Sequence, residues 1–240
     1  MGFILWLIVG GVVGWLASLV MRTDAQQGII LNIVVGIVGA VIAGLIFGGG
    51  NINDNPLDLT NILWSLLGAI ILLAAAILLA MGRPPICTCG EVALWGSVGP
   101  KQSQMIADWY SASHIVHGFL FYGALWLLFR RWSAELRLLV ALGIESAWEI
   151  AENTPMVIDR YREATAALGY SGDSILNSVS DIAMMGIGFA LARRLPVWAS
   201  LVIVALLELV PLLVIRDNLT LNVWMLLAPT DWLREWQAGA

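Results

Sequence analysis

The stretch "DWYSASHIVHGFLFYGALWLLF", residues 108–129, holds the central problem of this chain. Its second half is apolar and long enough to lie in lipid, since about 18 to 22 residues rising 1.5 Å each cross a hydrocarbon core of roughly 30 Å. Its first half carries Asp108 and both histidines of the chain, His114 and His117. An ionisable side chain at the bilayer centre costs on the order of 3 kcal/mol or more unless it is paired, hydrated or used. A spanning helix that opens with an acid and two imidazoles therefore predicts polar partners on the helices around it.

The rest of the chain supplies such helices. It has 240 residues, 60% of them hydrophobic and only 12% charged, with a mean hydropathy of +0.86. That is more apolar surface than one small soluble core can hide, so an integral membrane protein of the all-α class is expected. The net charge of -5 and the lack of any run of basic residues exclude nucleic acid as a partner. The first residues, "MGFILWLIVGGVVGWLASLVM", lack a charged leader and a small-residue cleavage site, which predicts a retained span instead of a signal peptide. Apolar runs near 3–21, 29–47, 61–80, 110–129, 136–153, 174–192 and 197–215 predict a polytopic bundle of about seven spans. The tail, "NLTLNVWMLLAPTDWLREWQAG", is broken by Pro229 and carries Trp224, Trp232 and Trp236, which predicts an interfacial or re-entrant helix at the lipid headgroups.

The longest gap, 82–107, opens with "GRPPICTCGEV" and marks a domain boundary near Arg83. It separates a three-helix glycine-rich part, 1–82, from a four-helix part, 83–240, with a polar pocket. In the first part Gly10 and Gly14, then Gly36, Ala40, Gly44 and Gly48, repeat at four-residue spacing, which lets helices touch backbone to backbone in lipid. This predicts packing faces, including a homo-oligomer or protein partner held through them. The segments "GWLASLVM" and "QGIILNIVVGIVGAVIAG" resemble the small bacterial membrane proteins called transglycosylase-associated, over about the first 80 residues. That resemblance implies a three-helix membrane module and no catalytic residue.

The second part places polar residues at helical spacing inside apolar runs. Glu145, Glu149 and Glu152 share one helix face, as do Asp173, Asn177 and Asp181, and as do His114 and His117. Successive helices run antiparallel. Asp108 with the histidines, Glu149 with Glu152 and Asn153, Asp173 with Asn177, and Arg216 with Asp217 and Asn218 are therefore expected at one leaflet. The opposite ends carry Arg130, Arg131, Arg137, Arg193 and Arg194, so the positive-inside tendency puts the polar cluster outside.

Imidazole and carboxylate are ligands that zinc, manganese or iron accept, and His114, His117, Glu149 and Glu152 are the expected metal ligands. The chain has neither H-E-x-x-H nor the E-x-x-H of di-iron bundles. In a metal-free alternative Asp108 orients His114 as a general base, while burial keeps Glu149 or Glu152 neutral as the acid. Asp108, His114, Glu149, Glu152 and Asp173 are thus the expected catalytic set. Asn153, Asn177, Asp181, Asn218 and Asn222 are expected to bind substrate, with Arg160 gripping a lipid phosphate. The structural alternative for the same side chains is a set of interhelical hydrogen bonds. No G-x-S-x-G motif assigns a nucleophile, although Ser111, Ser113 and Ser174 lie close in sequence. Cys87 and Cys89 are too close for an easy disulfide and read as an ordered loop, half a metal site, or a strained bridge in an oxidising compartment.

The segments "DWYSASHIVHGFLFYGALWLL", "ESAWEIAENTPMVIDRYR", "GYSGDSILNSVSDIAMMGIGF" and "IRDNLTLNVWML" resemble the UPF0314 or DUF2585 group of uncharacterised bacterial inner-membrane proteins, over roughly residues 84–238. More distantly the pattern is similar to VanZ-like membrane proteins: Asp108 and His114 match the first motif, Glu145 and Glu149 the second, and Asp173, Asn177 and Asp181 the third. The chain departs from it at Trp109, where Lys is usual, and in a Glu where Gln is common. The resemblance implies a multi-pass inner-membrane protein and a site at these positions. The function expected is an intramembrane hydrolase or transferase, metal-assisted, acting on a lipid-linked or amphipathic substrate. Its alternative is a non-catalytic scaffold or accessory subunit that binds lipid or a protein. A proton pathway is disfavoured because the acids gather at one face.

Overall fold

The computed structural model describes residues 12, 15, 59–165 and 169–239. The first two expected spans and their glycine spacing, Gly10 to Gly48, lie outside the described residues apart from positions 12 and 15. Among the described residues from 59 onward there are eight helices: α1 (Leu59–Ala80), α2 (Ser111–Leu128), α3 (Ala134–Glu152), α4 (Pro155–Ala164), α5 (Ile175–Arg194), α6 (Val197–Ile215), α7 (Leu219–Leu227) and α8 (Asp231–Ala238). No strand occurs among them, only an isolated bridge between Trp95 and Ala107.

The all-helical class stands, and the count of seven spans is not supported. Three described helices, α2, α5 and α6, are long and apolar enough to cross a membrane. The run 136–153 does form a helix, but α3 carries Glu135, Arg137, Glu145, Glu149 and Glu152, too many charges for a lipid-facing span. The tail also differs from the single helix expected. Pro229 cannot continue a helix, so α7 stops at Leu227 and α8 begins afresh at Asp231.

The chain divides into two compact units, Met1–Ile77 with Phe129–Ala147 and Leu78–Leu128 with Trp148–Ala240. In the first, Leu67, Ile70, Leu73 and Ala74 of α1 are buried. The start of α3 is capped by Ser133, whose Oγ accepts from the Leu136 amide at 3.2 Å, and Phe129 stacks on Trp132 with centroids 4.1 Å apart.

In the second unit α2 and α5 meet backbone to backbone. A Cβ on Gly118 would overlap the Met185 carbonyl and the Phe189 amide, and one on Gly188 would overlap the Ile115 carbonyl. Glycine at both positions is what lets the two helix backbones approach this closely. The loop before α2 is tied just as firmly. After α1 the chain turns at Gly82, with φ +83°, while the Gly82 amide donates to Leu79 and the Arg83 amide to Leu78, a Schellman ending. Pro84 and Pro85, which have no amide to donate, present their carbonyls to the amides of Ile175 and Leu176 at 2.9 and 3.1 Å. Those amides belong to the first turn of α5, where no intrahelical acceptor exists. The Ser174 side chain completes the cap by accepting from the Asn177 amide. Of the readings open for Cys87 and Cys89 the bridge is the one formed: they are joined in a disulfide, so neither thiol is free for a metal.

Candidate functional site

The start of α2, the end of α3, and the start of α5 enclose a polar cavity within the second unit. Its volume is about 50 Å³, room for a few waters, since one water needs about 10–15 Å³. Among the lining residues are His114 and His117 from α2, Glu152 from α3, Asp173, Asn177 and Asp181 around α5, and Asn222 from α7. Sequence spacing placed all seven in a site, and the fold brings them around one cavity.

His114 is the centre. Its Nδ1 lies 3.5 Å from Glu149 Oε1 and its Nε2 lies 3.8 Å from Asp181 Oδ2. All three side chains are buried, Glu149 to 1% exposure. Ser111, at the first turn of α2, donates from Oγ to Asp181 Oδ1 at 3.0 Å, which turns the other carboxylate oxygen toward the imidazole. His117 packs edge-on against His114 with centroids 5.3 Å apart and stacks on Phe121. Of the four metal ligands expected from sequence, His114 and Glu149 come together with Asp181 as the third member, while His117 and Glu152 line the cavity beside them.

The opposite wall is built on Asp173. Asn153 and Asp173 bond reciprocally: the Asp173 amide donates to Asn153 Oδ1 at 2.7 Å and Asn153 Nδ2 donates to Asp173 Oδ2 at 2.8 Å. Tyr170 donates its hydroxyl to the same carboxylate at 3.0 Å. Arg83 grips the backbone here, donating from Nε and Nη2 to the Asp173 carbonyl at 2.9 and 2.8 Å and from Nη1 to the Ser171 carbonyl at 2.7 Å. Gly172, between them at φ +83°, leaves space for that guanidinium, which a Cβ would meet at 2.7 Å. Burial pushes the Asp173 carboxyl above its ordinary value of 3.8, although the bonds from Asn153 and Tyr170 pull it down. Burial likewise holds the hydroxyls of Tyr161 and Tyr170 well above 10, so both remain O–H donors. Tyr161 spends its proton on Asn222 Oδ1 at 2.9 Å.

The remaining expected residues hold backbone. The Asp108 carboxylate accepts from the amides of Ser103 and Tyr110 at 2.6 and 2.7 Å, which fixes the loop into α2. Its pKa is raised, burial outweighing those amides. Asn177 donates to the Met105 carbonyl at 3.0 Å. Asn218 caps α7, accepting from the Leu221 amide at 2.8 Å, and Arg160 donates to the Leu226 carbonyl near the end of α7 at 3.0 Å. Sequence reasoning missed Arg83, Tyr170 and Ser111 as builders of this site. The signal for Arg83 was an arginine beside two prolines, and for Tyr170 the glycine turn in "GYSGDS".

Residues 78–239 match the family described as protein of unknown function (DUF2585), and residues 33–82 match transglycosylase associated protein. The chain is 54% identical over 179 residues to the UPF0314 protein of Sphingopyxis alaskensis, covering 73% of this chain and 95% of that one. It is 55% identical over 170 residues to the UPF0314 protein of Agrobacterium fabrum, covering 70% and 86%. With the UPF0314 protein of Paracoccus denitrificans it shares 55% over 172 residues, covering 71% and 89%. No solved structure matches the chain.

Proposed function

We propose that this chain, which belongs to the UPF0314 family of proteins of unknown function (DUF2585), is a membrane-embedded hydrolase or transferase acting on a lipid-linked or amphipathic substrate. The observation that carries the reading is His114 standing between Glu149 and Asp181 at the wall of a polar cavity, on helices of membrane length. An imidazole flanked by carboxylates is suited to take a proton from water or an acceptor hydroxyl, and the flanking acids steady the imidazolium that forms. Glu152, on the same cavity, is placed to return a proton to the leaving group. A volume of about 50 Å³ admits the reacting group alone, so the tails of a lipid substrate would lie along exposed apolar faces such as Leu213 and Trp198 of α6.

The reading includes a multi-pass protein of the bacterial inner membrane with the cavity at its outer face. The disulfide supports that side, because the loop bearing Cys87 and Cys89 is bonded to the start of α5 and disulfides persist in oxidising compartments. A scaffold that binds lipid or a protein partner is the second reading. It is favoured by the fully bonded Asp173–Asn153–Tyr170 wall. Lipid mass spectrometry on cells lacking the protein separates the two. The enzyme reading expects a lipid-linked species to accumulate, cleared by the wild-type chain but not by His114→Ala present at equal membrane level. If His114→Ala clears it as well as wild type does, the scaffold reading replaces it.

A further inference from the structure

We propose that His114, Glu149 and Asp181 form a binding site for one divalent first-row metal ion, of the zinc or manganese kind. The inference deepens the reading above by giving His114 a ligand's role in place of the base's, and rests on that reading only for the use to which the ion would be put.

Three observations point to a cation. One ligand atom from each of the three residues can be chosen so that all lie within 4.8 Å of one another, and all three residues are buried. Ligands about 2.0–2.2 Å from a tetrahedral ion stand roughly 3.4 Å apart, close to the 3.5 Å between His114 Nδ1 and Glu149 Oε1. At 3.5 and 3.8 Å these contacts are too long for hydrogen bonds. Second, Glu149 Oε1 is buried and accepts no hydrogen bond. A carboxylate oxygen in that condition is costly unless a cation meets it. Third, the lining is rich in acidic side chains and poor in basic ones. Glu152, Asp173 and Asp181 line the cavity, and among the described residues no Lys or Arg lines it. The nearby guanidinium of Arg83 is turned to backbone carbonyls.

The surroundings also resemble support for a ligand. Ser111 Oγ holds the far oxygen of Asp181 and itself accepts from the Asp108 amide at 3.1 Å, so the aspartate is oriented from behind. Two carboxylates and a neutral imidazole neutralise a divalent ion, and mixed nitrogen and oxygen donors suit zinc and manganese better than magnesium or calcium. The adjoining cavity leaves room for water at the open coordination positions. When bound, such an ion would supply an activated water or polarise a phosphoryl or acyl oxygen.

The test is metal stoichiometry and affinity on the full-length protein in chelator-free detergent. The chain is stripped with a chelator, dialysed against zinc or manganese in separate samples, and read by elemental mass spectrometry and calorimetric titration. About one ion per chain is expected in the wild type, with affinity at least tenfold weaker in Glu149→Gln and in Asp181→Asn, both close in shape to the native side chains. Glu91→Gln, on an exposed loop, should bind as wild type does. No ion in the wild type, or an affinity unchanged in both carboxamide variants, overturns the proposal. The lipid measurement above is independent of this result: His114-dependent clearance without bound metal would leave the enzyme reading standing and remove the ion, and bound metal without clearance would do the reverse.

Discussion

The α2–α5 pair and α6 are all of membrane length, yet they solve opposite problems. Of the apolar spans of α2 and α5 a share of 39% is buried in each, and of α6 only 6%. On the enclosed pair stand His114, Asn177 and Asp181; α6 has a single ionisable side chain, Glu208. The Glu208 carboxylate is fully engaged, accepting from the amides of Leu219 and Thr220 at 3.2 and 3.1 Å and from the Thr220 hydroxyl at 2.6 Å, which caps the start of α7. Polar groups are therefore concentrated where the helices are enclosed by protein, and the exception on the exposed helix is met by a helix N-terminus.

The contrast breaks most readily at the glycines. Gly188→Leu should cost more than about 3 kcal/mol, because a side chain there meets the Ile115 backbone, which cannot move aside. Unfolding of the purified protein in detergent measures it. Asn153→Ala comes next, at about 2–3 kcal/mol, since it strips a donor and an acceptor from the buried Asp173. On the exposed helix, Glu208→Gln should cost about 1–2 kcal/mol through the α7 cap, visible as faster hydrogen exchange at Leu219 and Thr220 ahead of any global loss.

A gentler probe is pH. Asp217, just beyond α6, accepts from the Tyr110 hydroxyl at 2.7 Å, yet burial raises its pKa above the ordinary 3.8. The folded state then holds this proton more tightly than the unfolded one. The stabilisation is full below about pH 4 and is lost as pH rises through the raised value. Melting curves across that range should show a negative slope that Asp217→Asn reduces. The smallest effect belongs to Gly186→Ala. It adds a Cβ with nothing within 4 Å and should gain up to about 1 kcal/mol from helix propensity, a sign opposite to that of its neighbour Gly188.

Much of the site could be read in one dimension because helical spacing is strict. His114 and His117 stand three residues apart, Glu149 and Glu152 four and seven beyond Glu145, and Asp173, Asn177 and Asp181 four apart within apolar runs, and antiparallel succession assigned most of them a common end. The span count could not be read so easily. An apolar average over 136–153 hides Glu145, Glu149 and Glu152, and whether such a helix faces lipid depends on its neighbours.

By itself the sequence determined the helical class, the apolar runs of α2, α5 and α6, and which side chains share a helix face, because these follow from local composition and a 3.6-residue period. The tertiary structure decided which faces meet. It set Asp181 beside His114 and Glu149, turned Asp108 to the amides of its own loop, placed Arg83 behind Asp173, and brought Gly118 and Gly188 into the α2–α5 contact. Those pairings join residues that the period alone leaves independent, and only close packing between helices selects among them.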